Sequence, residues 1–141
     1  MTMTNKTVTN NMKIMVIDDD HDVGDGLRLL LQLDGYTVSV CREGSEALAI
    51  TEREHFDLII TDYRMPMLDG VEVTKRLRQR FFETPIIGIS CDDVGDLFLE
   101  AGADGFLHKP LTAASLRRLL ERFLGRSRPR NVGRIMTGMG I

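Results

Sequence analysis

Residues 14–22 read IMVIDDDHD, a short apolar run that stops at three consecutive aspartates. An apolar run of this length suits a buried strand over residues 13–17 better than a helix. The carboxylates at its end repel one another, and burial stabilises none of them without a cation or hydrogen-bond donors. Groups elsewhere in the chain must answer them.

Outward from this run the pattern alternates. Val23, Leu27, Leu30 and Leu31 recur at helical spacing and Gly35 closes that segment as a C-terminal cap. Residues 36–41 read as a strand, and residues 45–54 as a short amphipathic helix with Ala47, Leu48 and Thr51 on one side. A third strand over 58–61 ends at Asp62, and the turn MPMLDG leads into a helix over about 71–81. A fourth strand covers 85–89, and Val94, Leu97, Phe98 and Ala101 mark a helix. A fifth strand covers 105–107, and Leu116, Leu119, Leu120, Phe123 and Leu124 mark the last helix. Five strands alternating with five helices predict a doubly wound α/β layer of parallel strands joined by right-handed crossovers.

The 141 residues suffice for one domain with a sizeable core. A content of 43% hydrophobic and 28% charged residues is that of a globular chain. A net charge of -3 argues against direct nucleic-acid binding, and no apolar run is long enough to span a membrane. The start, MTMTNKTVTNN, lacks the apolar segment of a signal peptide, which predicts a cytoplasmic location. Cys41 and Cys91 lack metal-ligand spacing and read as packed thiols, and His21, His55 and His108 as scattered surface residues. Residues 1–12 read as a disordered leader and 126–141, with Arg126, Arg128, Arg130 and Arg134, as a flexible basic tail or the start of a linker. Arg117, Arg118 and Arg122 are expected on the solvated face of the last helix.

In open parallel sheets the ligand site lies beyond the carboxyl ends of the strands. Four of the five strands deliver a polar residue there: Asp18 and Asp19, Asp62, Ser90 and Lys109. Oxygen ligands of this kind favour Mg²⁺, with Mn²⁺ as an alternative. A divalent ion opposite a free carboxylate suits phosphoryl transfer, with Asp62 as nucleophile, Lys109 as a point charge on a phosphoryl oxygen and Ser90 as a hydroxyl donor.

Through IMVIDDD, DLIITDYRMPMLDG, TPIIGIS and GADGFLHKP, residues 13 to about 125 resemble the receiver domain of two-component response regulators. The resemblance implies a flavodoxin-like (βα)5 three-layer sandwich with strand order 2-1-3-4-5. It implies that Asp62 accepts phosphate from a histidine kinase or a histidine phosphotransfer protein. Asp18, Asp19, Asp62 and the backbone carbonyl of Arg64 would hold the metal, and Ser90 and Phe106 would be the switch residues. Lys109-Pro110 would be a cis peptide. The product would be a signalling switch with Mg-dependent self-phosphorylation and autodephosphorylation, a monomer or phosphorylation-dependent dimer whose output partner is unknown.

Nineteen positions separate Ser90 from Lys109, about one helical turn fewer than is usual in that family. Phe106 has no hydroxyl where the family often has tyrosine. Asp20 matches no ligand and reads as the N-cap of the first helix, with His21 and Asp22 in its first turn. Arg64 and Asp92, two residues after Asp62 and Ser90, either pair across the site and slow attack by water or are ordinary solvated charges. Asp18 and Asp20 also show the D-x-D spacing of haloacid-dehalogenase-type phosphohydrolases, with Asp18 as nucleophile. That alternative, and a non-catalytic module of the same fold, are the competing readings.

Overall fold

The computed structural model describes residues 11–80 and 82–125. Five parallel strands, β1 (Lys13–Ile17), β2 (Thr37–Cys41), β3 (Leu58–Asp62), β4 (Ile86–Ser90) and β5 (Gly105–His108), form one sheet in the order β2-β1-β3-β4-β5. The helices are α1 (His21–Leu33), α2 (Gly44–Ile50), α3 (Gly70–Gln79), α4 (Gly95–Ala101) and α5 (Ala113–Leu124). The predicted alternation and strand order are both present. The predicted leader and tail lie mostly outside the described residues, as does Phe81, the expected end of α3. Met12 already belongs to the domain: it packs against the core and its carbonyl accepts from Thr37 N–H at 2.9 Å.

The period of two along a strand divides the core. Ile14 and Val16 face one side of the sheet, with Leu27, Leu30 and Leu31 of α1 and Leu116, Leu119 and Leu120 of α5. Met15 and Ile17 face the other, with Leu48 of α2, Val73 and Leu77 of α3 and Phe98 of α4. Every residue of the central strands β3 and β4 is buried, as expected for strands covered on both faces.

Four expectations are corrected. Helix α2 ends at Ile50, where the Thr51 hydroxyl donates to the carbonyls of Ala47 and Leu48, and residues 51–53 form a turn. Leu97 is exposed, because a two-turn helix buries one face and in α4 Phe98 and Ala101 occupy it. Cys41 is buried, which pushes its thiol up to about 12, but Cys91 is exposed because it lies just past the end of β4. Arg117 is half-buried with Nε and Nη2 out of solvent, since it flanks the apolar stripe of α5.

Met67 is 98% exposed with φ 71, and Leu68 N–H donates to Pro66 O at 2.8 Å, so a tight turn closes around a side chain that contacts almost nothing. A non-glycine residue in the left-handed region costs about 1–2 kcal/mol. Met67→Gly should therefore stabilise the domain by about 0.5 kcal/mol once the greater unfolded-state freedom of glycine is subtracted. A higher urea midpoint with unchanged slope is the expected reading.

Candidate functional site

The end of β1 and the register of β3 bring the acidic residues together. Asp18 is wholly buried; one carboxylate oxygen accepts from Asp20 N–H and the other from Lys109 Nζ, each at 2.9 Å. Asp62, at the end of β3, is 6% exposed and lies 3.1 Å from the same ammonium. Carboxylate oxygens of Asp18, Asp19 and Asp62 lie within 4.8 Å of one another. Burial, then the Asp18 charge, raises the Asp62 carboxyl to about 6 against the pull of Lys109. Burial also opposes the charge on Lys109, but Asp18 and then Asp62 outweigh it and hold the ammonium above the usual lysine range.

Lys109 reaches the cluster from the loop after β5, where its N–H donates to Ser90 O at 2.9 Å and the Lys109-Pro110 peptide is cis. Ser90 is buried at the end of β4 and turned toward its own loop: its Oγ accepts from Asp92 N–H at 2.9 Å and lies 3.4 Å from an Asp92 carboxylate oxygen. Asp92 in turn receives two hydrogen bonds from the Arg64 guanidinium, one at 3.1 Å, and Arg64 holds its carboxyl below the usual carboxylate range. Arg64 and Asp92 are thus paired rather than separately solvated. Phe106 is half-buried on β5, its ring 5.0 Å from that of His108.

Asp20 does not join the carboxylate cluster. Its side chain caps α1, accepting from Asp22 N–H at 2.9 Å and Val23 N–H at 3.3 Å. Helix capping thus separates the two aspartates of the D-x-D spacing, and Asp18, buried and held by two donors, is poorly presented as a nucleophile. His21, His55 and His108 are exposed and none joins the cluster.

The sequence reading missed two glycines that set the site. A Cβ on Gly70 would lie 2.1 Å from the Asp62 carbonyl oxygen, and Gly70 N–H donates to Tyr63 O at 2.9 Å, so the start of α3 presses directly on the main chain of Asp62. A Cβ on Gly88 would lie 2.5 Å from the ring of Phe98. A glycine inside the apolar run IIGIS was the available signal, since such a glycine often marks a close approach.

Three carboxylates against one ammonium leave two negative charges in excess. A small divalent cation with oxygen ligands matches that deficit, so the residues fit Mg²⁺.

Residues 14–121 match the family described as the response regulator receiver domain. The chain belongs to that family. The receiver domain is 36% identical over 121 residues to "Response regulator MprA" of Mycobacterium leprae, covering 84% of this chain and 53% of that protein. It thus spans about half the length of the curated relatives it matches. A putative response regulator from Chloroflexus aurantiacus superposes with a TM-score of 0.78 at 30% identity, over 83% of this chain and all of that one. The receiver domain of sensor histidine kinase PA1611 from Pseudomonas aeruginosa has a magnesium ion coordinated in its active site cleft. It superposes with a TM-score of 0.76 at 29% identity, over 82% of this chain and 99% of that one. These likenesses support a phosphoacceptor signalling switch and not a haloacid-dehalogenase-type hydrolase. Among the described residues no helix is long and apolar enough to cross a membrane.

Proposed function

We propose that Asp62 is the phosphoacceptor of this receiver domain. The observation that carries this reading is the single ammonium of Lys109 set 2.9 Å from Asp18 and 3.1 Å from Asp62, both buried, in a carboxylate cluster that Asp19 completes toward solvent. A carboxylate oxygen of Asp62 attacks the phosphorus of a phosphohistidine, on a histidine kinase or phosphotransfer protein, or of a small acyl phosphate. The new O–P bond forms as the bond to the donor's nitrogen or oxygen breaks, and the leaving group keeps that electron pair. Asp18, Asp19, Asp62 and the Arg64 carbonyl would hold Mg²⁺, or Mn²⁺ in its place. Bound there, the ion would supply positive charge to offset that on the phosphoryl oxygens.

Lys109 exchanges its contact with Asp62 for one with a phosphoryl oxygen, and Ser90 turns from Asp92 to donate to another. Phe106 follows Ser90. The domain would act in the cytoplasm and pass its state to an output partner as a monomer or a phosphorylation-dependent dimer.

Incubation with Mg²⁺ and acetyl phosphate should add one phosphoryl mass, and omission of the ion should prevent it. An unchanged mass with both present would count against the proposal. The Arg64–Asp92 pair lies in the loops that follow Asp62 and Ser90 and would slow attack by water on the acyl phosphate. Arg64→Ala should accelerate autodephosphorylation several-fold, by an amount that falls as salt screens the pair in the wild type. An unchanged decay of the phosphorylated species would separate this pair from the hydrolysis rate.

A further inference from the structure

Four aromatic rings run in contact beside the carboxylate cluster. Tyr63, directly after Asp62, meets Phe98 edge-on with centroids 6.2 Å apart. Phe98 lies 5.8 Å from Phe106, and Phe106 meets His108 edge-on at 5.0 Å. Phe98, from α4, is wholly buried between two elements of the site. A Cβ on Gly88, two residues before Ser90, would come within 2.5 Å of three of its ring atoms, and one on Gly70 within 2.9 Å of its Cζ. Gly95 at the start of α4 packs against Phe106 less tightly, with Cδ2 3.1 Å from an added Cβ. The buried ring therefore sits on bare backbone at β4 and α3, where a methyl group would not fit, and on side chains at Tyr63 and Phe106.

Close-packed interiors transmit displacement, because a side chain without free volume moves only with its neighbours. We propose that Phe98 is the positioning residue that couples the Asp62 and Ser90 end of the sheet to α4. A shift of Ser90 draws on β4 beneath the ring, and a shift of Phe106 pushes on its edge. Either must move Phe98 and with it a helix of seven residues. On α4, Leu97 and Leu99 flank Phe98 in the chain and are 46% and 51% exposed, so a rotation of the helix changes the apolar surface it presents. Phe106 has no hydroxyl to hydrogen-bond on either side of such a motion, and ring packing supplies the link. This inference rests on the phosphoacceptor reading above.

The test is NMR of the full chain before and after addition of Mg²⁺ and beryllium fluoride, a phosphoryl mimic that binds a carboxylate. In the wild type the amides of Asp18, Asp62 and Ser90 should shift, together with the methyls of Leu97 and Leu99. In Phe98→Leu and Phe98→Met, which keep apolar volume without the ring, the three amides should shift as before while the leucine methyls lose most of their response. A residue that merely filled the core would lower the melting temperature and leave the methyl response intact, and that result would overturn the proposal. So would a wild type whose site amides shift while Leu97 and Leu99 do not. No shift at the site amides would overturn the phosphoacceptor reading and this inference with it. Should neither Phe98 variant fold, Phe106→Leu removes the ring contact from the other side and must give the same loss at Leu97 and Leu99.

Discussion

Asp62→Asn should raise the melting temperature of the metal-free domain at neutral pH while abolishing phosphoryl uptake. The folded protein holds the Asp62 proton more tightly than the unfolded chain does, since burial and Asp18 raise the carboxyl from 3.8 to about 6. The folded state then binds more protons than the unfolded state between these values, so stability falls as pH rises through the window and the loss persists above it. At roughly 1.4 kcal/mol per pKa unit the penalty at pH 7 is on the order of 2–3 kcal/mol. Asparagine removes the charge and keeps an oxygen toward Lys109. The melting temperature should rise by roughly 10 °C at pH 7. The gap should close near pH 4, where the wild-type carboxyl is protonated, and should shrink when Mg²⁺ stabilises the wild type by mass action. Thermal melts at pH 4 and pH 7, with and without Mg²⁺, measure each of these. A gap that did not change with pH would show that Asp62 carries no such strain.

Gly70→Ala should be the most damaging small substitution next to the site. The added methyl would sit 2.1 Å from the Asp62 carbonyl oxygen and 2.9 Å from Phe98 Cζ, and the first of these is backbone that cannot step aside alone. Overpacking of this kind costs about 1–3 kcal/mol, and any relaxation displaces the main chain that carries the reacting carboxylate. A displacement of about 1 Å can cost on the order of 100-fold in rate. The expected result is a lower urea midpoint, equivalent to a loss of about 3 kcal/mol of stability, together with a much slower gain of phosphate from acetyl phosphate. Gly125→Ala is the contrast. Its Cβ would meet nothing within 4 Å, and only its φ of 63 opposes a side chain, for about 1 kcal/mol and no change in phosphorylation. Equal effects of the two alanines would remove the special status of the Asp62–Gly70 contact.

The architecture was legible because each strand run is short, apolar and stopped by a polar residue, and because parallel sheets gather those residues at one edge. Asp18, Asp19, Asp62 and Lys109 therefore emerged from spacing and chemistry before any geometry. Asp20 was legible as a cap for the same reason: a carboxylate just before the periodic run of α1 meets free N–H groups. Orientation within short or marginal elements was not legible. In α4 the sequence DLFLEA offers three adjacent large apolar residues, and only the three-dimensional match of Phe98 to Gly88 and Gly70 decides which one is buried. Cys91 and Arg117 were misjudged because each sits at the margin of a buried element, where one position decides exposure. The Arg64–Asp92 pair, which joins two loops 28 positions apart, was one of two readings that the matching offsets from Asp62 and Ser90 left open, whereas the engagement of Ser90 with Asp92 had no such signal.

The most direct test of the account is to locate the acyl phosphate. Borohydride reduces an acyl phosphate on aspartate to homoserine and leaves a free carboxylate unchanged. Domain treated with Mg²⁺ and acetyl phosphate, then with borohydride, should contain homoserine at position 62 on peptide mapping by mass spectrometry, with Asp18, Asp19 and Asp20 intact. Homoserine at position 18, or at none of the four, would contradict the assignment of Asp62 as the phosphoacceptor.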